Sequence, residues 1–290
     1  MRRIALLALL AACSEAPAPA VPERAAPLVY TTFYPTTYLA RRIGGGLVEV
    51  VCPVPGDADP ISWKPDEDAI RAYQEADLIV LNGAGFEKWA ETVSLPAART
   101  VETARPFREN WIEYVGTATH RHGGEGAHSH EGLDGHTWLD PVNAKAQARE
   151  ILLALRKRLP GRVAGLQANF DALAADLDAL HDALGALRPP PLLASHPAYN
   201  YLAARYGWKI ENLDLDPEDV PSAAQVDAVA RMGPRILLWE AAPLPEAAER
   251  FREAGIASVE FSPLEQPPES GDFLAAMQAN IERLRAAVGG

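Results

Sequence analysis

The chain has 290 residues, 48% of them hydrophobic and 23% charged, with a formal net charge of −12 at pH 7. Acidity of that size argues against nucleic acid as a partner, because phosphate backbones reward basic patches, and it suits a protein that handles cations outside the cytoplasm. Two cysteines, Cys13 and Cys52, leave no disulfide framework and disfavour zinc–thiolate chemistry.

Arg2 and Arg3 precede an apolar run, Ile4 to Leu10, and then Ala11-Ala12-Cys13. That order describes a secretory signal over 1–13, too short to span a bilayer. Leu10-Ala11-Ala12-Cys13 resembles the lipobox of bacterial lipoproteins, which implies lipidation at Cys13 and a place in the cell envelope, periplasmic or on the outer face of the cytoplasmic membrane. Residues 14–27, rich in Pro and Ala and without periodicity, read as a tether. No later stretch is long enough for a transmembrane helix.

Short β-rich runs then alternate with helical patterns. Leu28 to Phe33, Leu47 to Val54 and Asp77 to Asn82 read as strands. Tyr34 to Ile43 reads as a helix closed by Gly44-Gly45-Gly46, and Asp66 to Glu75 as one opened by Pro65 and acidic residues. Such alternation implies a parallel sheet with crossover helices. Cys52, within an apolar run, reads as a small buried hydrophobe.

Five of the seven histidines fall between Thr119 and Pro141. His120, His122, His128 and His130 sit among Gly, Ala, Ser and Glu, a composition expected neither to bury a core nor to hold a regular element. Neutral imidazole is a common ligand for zinc, and a mobile tract of it can collect ions and deliver them to a fixed site. The fifth, His136, meets the apolar run Trp138-Leu139 and is read as part of that fixed site.

Val142 to Leu159 follows as a helix with Asp140 as its N-cap. From Gly161 to Leu187, apolar residues at Val163, Leu166, Phe170, Leu173, Leu177, Leu180, Leu184 and Leu187 make one stripe on a helix about 40 Å long, stopped by Pro189-Pro190-Pro191. Beyond it, strands are expected at Leu192 to Ser195, Lys209 to Leu213, Arg235 to Trp239 and Ala257 to Phe261. Helices are expected at Pro197 to Tyr206, Ser222 to Met232, Pro245 to Ala254 and Asp272 to Val288. The fold class is therefore α/β, with two lobes of parallel-type sheet joined by a long rigid helix. The N-terminal lobe spans 28–159 with its His-rich loop at 119–136, the connecting helix 160–188, and the C-terminal lobe 189–290. A stiff connector limits hinge opening.

Several ordered motifs now converge: TTFYPTTYLARRIGG (31–45), PVPGDADP (53–60), ADLIVLNGAGFEKW (76–89), HTWLDP (136–141), SHPAYNYLAARYG (195–207) and the Glu240 segment. From about Leu28 onward the chain resembles the substrate-binding proteins of zinc and manganese ABC transporters, the ZnuA/TroA-like family. The resemblance implies two α/β lobes bridged by a rigid helix, a metal held between them, an ABC permease as partner and a monomeric, non-enzymatic receptor. It puts His136 and His196 at two of the family's histidine ligands and Glu240 near the site.

Two positions depart from the pattern. Ile61 stands where the family's first histidine follows an Asp-Pro pair, and Ser262 stands for the aspartate before Pro-Leu. Something else must complete the shell: Glu240, Asp59, or a loop histidine such as His128 or His130. Imidazole suits zinc over manganese. The chain carries no His-Glu-x-x-His and no Gly-x-Ser-x-Gly, which removes the usual signatures of a zinc or serine hydrolase. The alternative to a zinc receptor is a divergent member that binds a metal chelate or buffers zinc in the periplasm.

Overall fold

The computed structural model describes residues 26–114, 118–122, 125–130 and 132–289, with the backbone alone described over 118–122 and 125–130. Cys13, the signal and nearly all of the tether lie outside the described residues.

Strand β1 (Leu28–Thr31) leads into helix α1 (Tyr34–Gly44), whose first turn holds Pro35, a residue that needs no helical N–H partner there. Strand β2 (Glu49–Val51) follows, then α2 (Glu67–Glu75), capped by the Asp66 carboxylate accepting from Ala69 N at 2.8 Å. Strands β3 (Leu78–Leu81) and β4 (Thr100–Glu102) complete a sheet of order β2-β1-β3-β4, parallel at every pairing. β4 is absent from the sequence reading; three residues are too few to show an alternation.

The His-rich segment departs from expectation. Its backbone forms strands β5 (Ala118–His122) and β6 (Glu125–His130), paired antiparallel with His120 opposite His128 and a register shift before His122. Composition alone argued against a regular element, but a ribbon of two strands satisfies its own ladder without a core. Its base is pinned where Glu113 bridges Leu133, Tyr114 N donates to Gly132 O and Asp134 N donates to Ile112 O.

Helix α3 (Pro141–Arg158) has Pro141 in its first turn and the Asp140 carboxylate accepting from Val142 N at 2.9 Å. Helix α4 (Val163–Gly185) buries Leu166, Phe170, Leu173, Leu177, Leu180 and Leu184, and its 23 residues span about 35 Å. It is shorter than its stripe, because Pro160–Arg162 form a separate 3₁₀ turn and the chain leaves the helix before Leu187. The stripe packs against α1, α3 and the last helix, so α4 runs along both lobes.

In the second lobe come β7 (Leu192–Ala194), α5 (Asn200–Tyr206), β8 (Ile210–Asn212), α6 (Ala223–Arg231), β9 (Ile236–Trp239), α7 (Pro245–Glu253), β10 (Ala257–Glu260) and α8 (Phe273–Gly289). Their sheet, β10-β9-β7-β8, is again wholly parallel. Helix α6 opens with a complete capping box between Ser222 and Gln225. Among the described residues no helix is long and apolar enough to cross a membrane.

Candidate metal centre

In parallel α/β sheets the carboxyl ends of the strands face the crevice where ligands bind. His196 lies just past the end of β7 and Glu240 just past the end of β9. From the first lobe His136 meets them at the start of a 3₁₀ turn, Thr137–Leu139, that leads into α3. The His136 and His196 rings are 5.4 Å apart, centroid to centroid, and nearly perpendicular. Both are buried.

The His136 segment is held from behind by aromatic packing. Trp138 lies 5.3 Å from the His136 ring, 4.6 Å from Phe33 and 5.2 Å from Phe86. Gly135 packs closely there: a Cβ would lie 3.0 Å from the Phe86 side chain and 3.2 Å from its Cα, so Phe86 would have to shift by a few tenths of an ångström. Buried polar groups fix the same turn. Asn82 Nδ2 donates to Gly135 O at 2.9 Å, and Asn82 Oδ1 accepts from Gln147 Nε2 at 2.7 Å and from Thr137 Oγ1 at 3.0 Å.

Both imidazoles face carboxylates. His136 Nδ1 is 2.8 Å from Asp134 Oδ1, and His136 Nε2 is 2.9 Å from Glu265 Oε1 of the opposite lobe. His196 Nδ1 lies 3.5 Å from Glu240 Oε2. Burial works against a charged His136 ring, but the hydrogen bonds and charges of Asp134 and Glu265 outweigh it and push the imidazole up to about 10. Glu240 is pushed well above the usual carboxylate range, first by burial and then by the charge of Glu265, with His136 pulling the other way. Two carboxylates crowded beside two largely buried imidazoles make a place where a divalent cation would relieve the repulsion. Among the described residues no three such groups already surround one point. The carboxylates instead contact the imidazoles directly.

Glu265 is the residue that the sequence reading missed. The resemblance points to a carboxylate before Pro263-Leu264, where Ser262 stands, whereas Glu265 offers one immediately after that pair. Ser262 faces its own turn: its Oγ accepts from Leu264 N at 3.3 Å, and its backbone pairs with Asn280. Leu264 takes a left-handed φ of 62°, an uncommon conformation for a branched residue. This kink turns the chain so that Glu265 reaches His136. The turn is stitched to the first lobe by Trp138 Nε1 donating to Pro263 O at 2.7 Å, Tyr34 N to Glu265 O at 3.2 Å and Gln266 Nε2 to Ala58 O at 2.6 Å.

The remaining sequence candidates are placed as follows. Asp59 Oδ1 accepts from Ile61 N at 3.0 Å and Oδ2 from Ser62 Oγ at 2.9 Å, so its carboxylate shapes a turn, although Glu240 still feels its charge. Ile61 packs half-buried against the main core. The side chains of His120, His122, His128 and His130 lie outside the described residues, so the structure does not bring them to the crevice or keep them from it. Cys52 is half-buried and free.

A family model, "Zinc-uptake complex component A periplasmic", matches residues 29–287. The chain is 26% identical over 276 residues to a zinc-binding lipoprotein, AdcA, of Streptococcus pneumoniae, covering 89% of this chain and 55% of that protein. It thus spans little more than half of that relative. It is 28% identical over 213 residues to the high-affinity zinc uptake system protein ZnuA of Bacillus subtilis, covering 68% of this chain and 64% of the other. The fold is shared with the Zn(II)-bound AdcA of Streptococcus pneumoniae (TM-score 0.76, 21% identity, 91% of this chain and 58% of that one). It is shared too with the periplasmic zinc-binding protein TroA of Treponema pallidum (TM-score 0.70, 19% identity, 91% and 99%).

Proposed function

This chain belongs to the family of periplasmic zinc-uptake component A proteins, and on that premise we propose that it captures a zinc ion between its lobes and hands it to an ABC permease. The observation that carries this reading is the meeting of His136 and His196, 60 residues apart in sequence and from opposite lobes, with ring centroids 5.4 Å apart in a buried crevice. Glu265 and Glu240 complete a set of two imidazoles and two carboxylates. Imidazole nitrogen with carboxylate oxygen suits zinc, and a carboxylate-rich set leaves manganese as a weaker cargo. The reading is of a binding protein rather than an enzyme: closing both imidazoles and both carboxylates on one ion would fill a tetrahedral shell and leave no open position for a substrate.

The lipid anchor at Cys13 would hold the receptor at the cell envelope, and the tether would let a monomer reach its permease. The histidines at 120, 122, 128 and 130, on a hairpin rooted beside Asp134, would gather ions near the crevice. A titration of metal-free protein with zinc tests the reading: one tight ion per chain is expected, with His136→Ala or His196→Ala abolishing tight binding. Unchanged affinity in both variants would refute it.

Ile61 supports one second reading. Where the resemblance places a histidine, an aliphatic side chain can ligate nothing, which would suit a chelated metal that brings its own donors, or a buffering role. If purified protein ignores zinc while a metal chelate protects it from unfolding, the second reading replaces the first.

A further inference from the structure

We propose that Asp134 is a positioning residue of the interlobe centre: it presets the His136 imidazole and ties it to the lobe that carries His196. The inference rests on His136 being a metal ligand, as argued above. Asp134 is wholly buried, and a carboxylate in that position is costly unless donors surround it. Here they come from both lobes. Oδ1 accepts from His136 N at 2.9 Å, lies 2.8 Å from His136 Nδ1, and accepts from Tyr114 Oη at 3.2 Å. Oδ2 accepts from Asn200 Nδ2 of the second lobe at 2.9 Å. The Asp134 carbonyl accepts from Tyr201 Oη at 3.0 Å, and that hydroxyl accepts in turn from Ile112 N at 3.2 Å.

The second-lobe end of this bridge is itself fixed. Asn200 Nδ2 also donates to Pro197 O at 3.1 Å, next to His196, and Asn200 Oδ1 accepts from Asn212 Nδ2 at 3.0 Å. One carboxylate therefore runs from the ligand of one lobe to the loop bearing the ligand of the other.

A merely structural corner would need the Asn200 and Tyr201 bonds alone. The bond to Nδ1 adds something: an acceptor on that nitrogen keeps its proton there and leaves Nε2, the atom aimed at Glu265, to carry the metal. Carboxylates behind ligating histidines hold tautomer and ring orientation in this way, and losing one costs about 10- to 100-fold in metal affinity. An asparagine at 134 offers one accepting oxygen where the carboxylate offers two, and its NH₂ would face the donor of Asn200.

The experiment is a zinc titration against a chromophoric chelator with the wild type, Asp134→Asn, His136→Ala and the double variant. Asp134→Asn should weaken binding by about 10- to 100-fold, and in the His136→Ala background it should change affinity by less than about twofold, because it acts through that ring. An unchanged affinity in Asp134→Asn, or an equal loss in both backgrounds, would overturn the proposal. Wild-type affinity in His136→Ala would instead overturn the site reading. Should Asp134→Asn fail to fold, the imidazole nitrogen resonances of zinc-loaded wild type still decide. His136 should carry zinc on Nε2 and hydrogen on Nδ1, and the reverse assignment would refute the role.

Discussion

His136 Nε2 and Glu265 Oε1 meet at 2.9 Å across 129 residues of sequence and from opposite lobes. This contact joins the two lobes across the crevice, and a zinc ion would take over the same two atoms. Glu265→Ala should therefore weaken zinc binding by at least about tenfold, or roughly 1.4 kcal/mol. Ser262→Ala, three residues earlier, should change zinc affinity by less than about twofold, because its hydroxyl serves only its own turn. A titration of both variants checks this; equal effects would refute the exchange of Ser262 for Glu265.

Gly135 precedes His136 by one residue, and a Cβ there would crowd Phe86 at 3.0–3.2 Å. Gly135→Ala should push the segment away from Phe86, displace the His136 ring and lower zinc affinity. It should also destabilise the fold by about 1–3 kcal/mol, the usual range for overpacking. Calorimetric melting of metal-free protein and a zinc titration measure the two effects separately. A variant that keeps wild-type stability and affinity would show that the aromatic backing does not set the ligand.

Glu87 gives a pH signature from a carboxyl that is not itself a metal candidate. It is buried and accepts from Thr32 Oγ1 at 2.6 Å, Asn82 N at 2.7 Å and Gly83 N at 3.0 Å. Burial nevertheless raises its carboxyl above the ordinary 4.5, against those hydrogen bonds. The folded state then holds the proton at pH values where the unfolded chain has released it. Stability contributed by this group is present below pH 4.5 and is lost as pH rises through the folded value. Glu87→Gln should flatten the fall in stability over that window. Denaturant midpoints measured from pH 4 upward would expose parallel slopes in the two proteins if this is wrong.

The connecting helix draws its stability from one stripe. Leu177→Ala, at a buried position on that stripe, should cost about 2–5 kcal/mol without removing a metal donor. Zinc affinity at a temperature where the variant is folded should stay near wild type. A large affinity loss in the folded variant would mean that α4 controls the crevice directly.

Much of this molecule was legible in its residues. The stripe from Leu166 to Leu184, the proline stop after it, and the cap at Asp140 announced their helices, because period and cap chemistry are local, while Asp66 and Ser222, read as first helical residues, are the caps of theirs. His136 and His196 stood out because each ends an element beside a proline or an aromatic run. Glu265 did not, since what brings it to His136 is a left-handed kink at Leu264 and contacts to Tyr34, Ala58 and Trp138, all more than 120 residues away. The β5–β6 hairpin was hidden for a related reason: its composition spoke for disorder, while its backbone pairing starts from Glu113 and Leu133.

The account turns on one ion held by both lobes, and a crystal structure of the zinc-loaded protein tests it most directly. Zinc should lie between the lobes about 2.0–2.2 Å from His136 Nε2, His196 and at least one of Glu265 and Glu240. Zinc bound only by the hairpin histidines, with His136 still resting on Glu265, would contradict it.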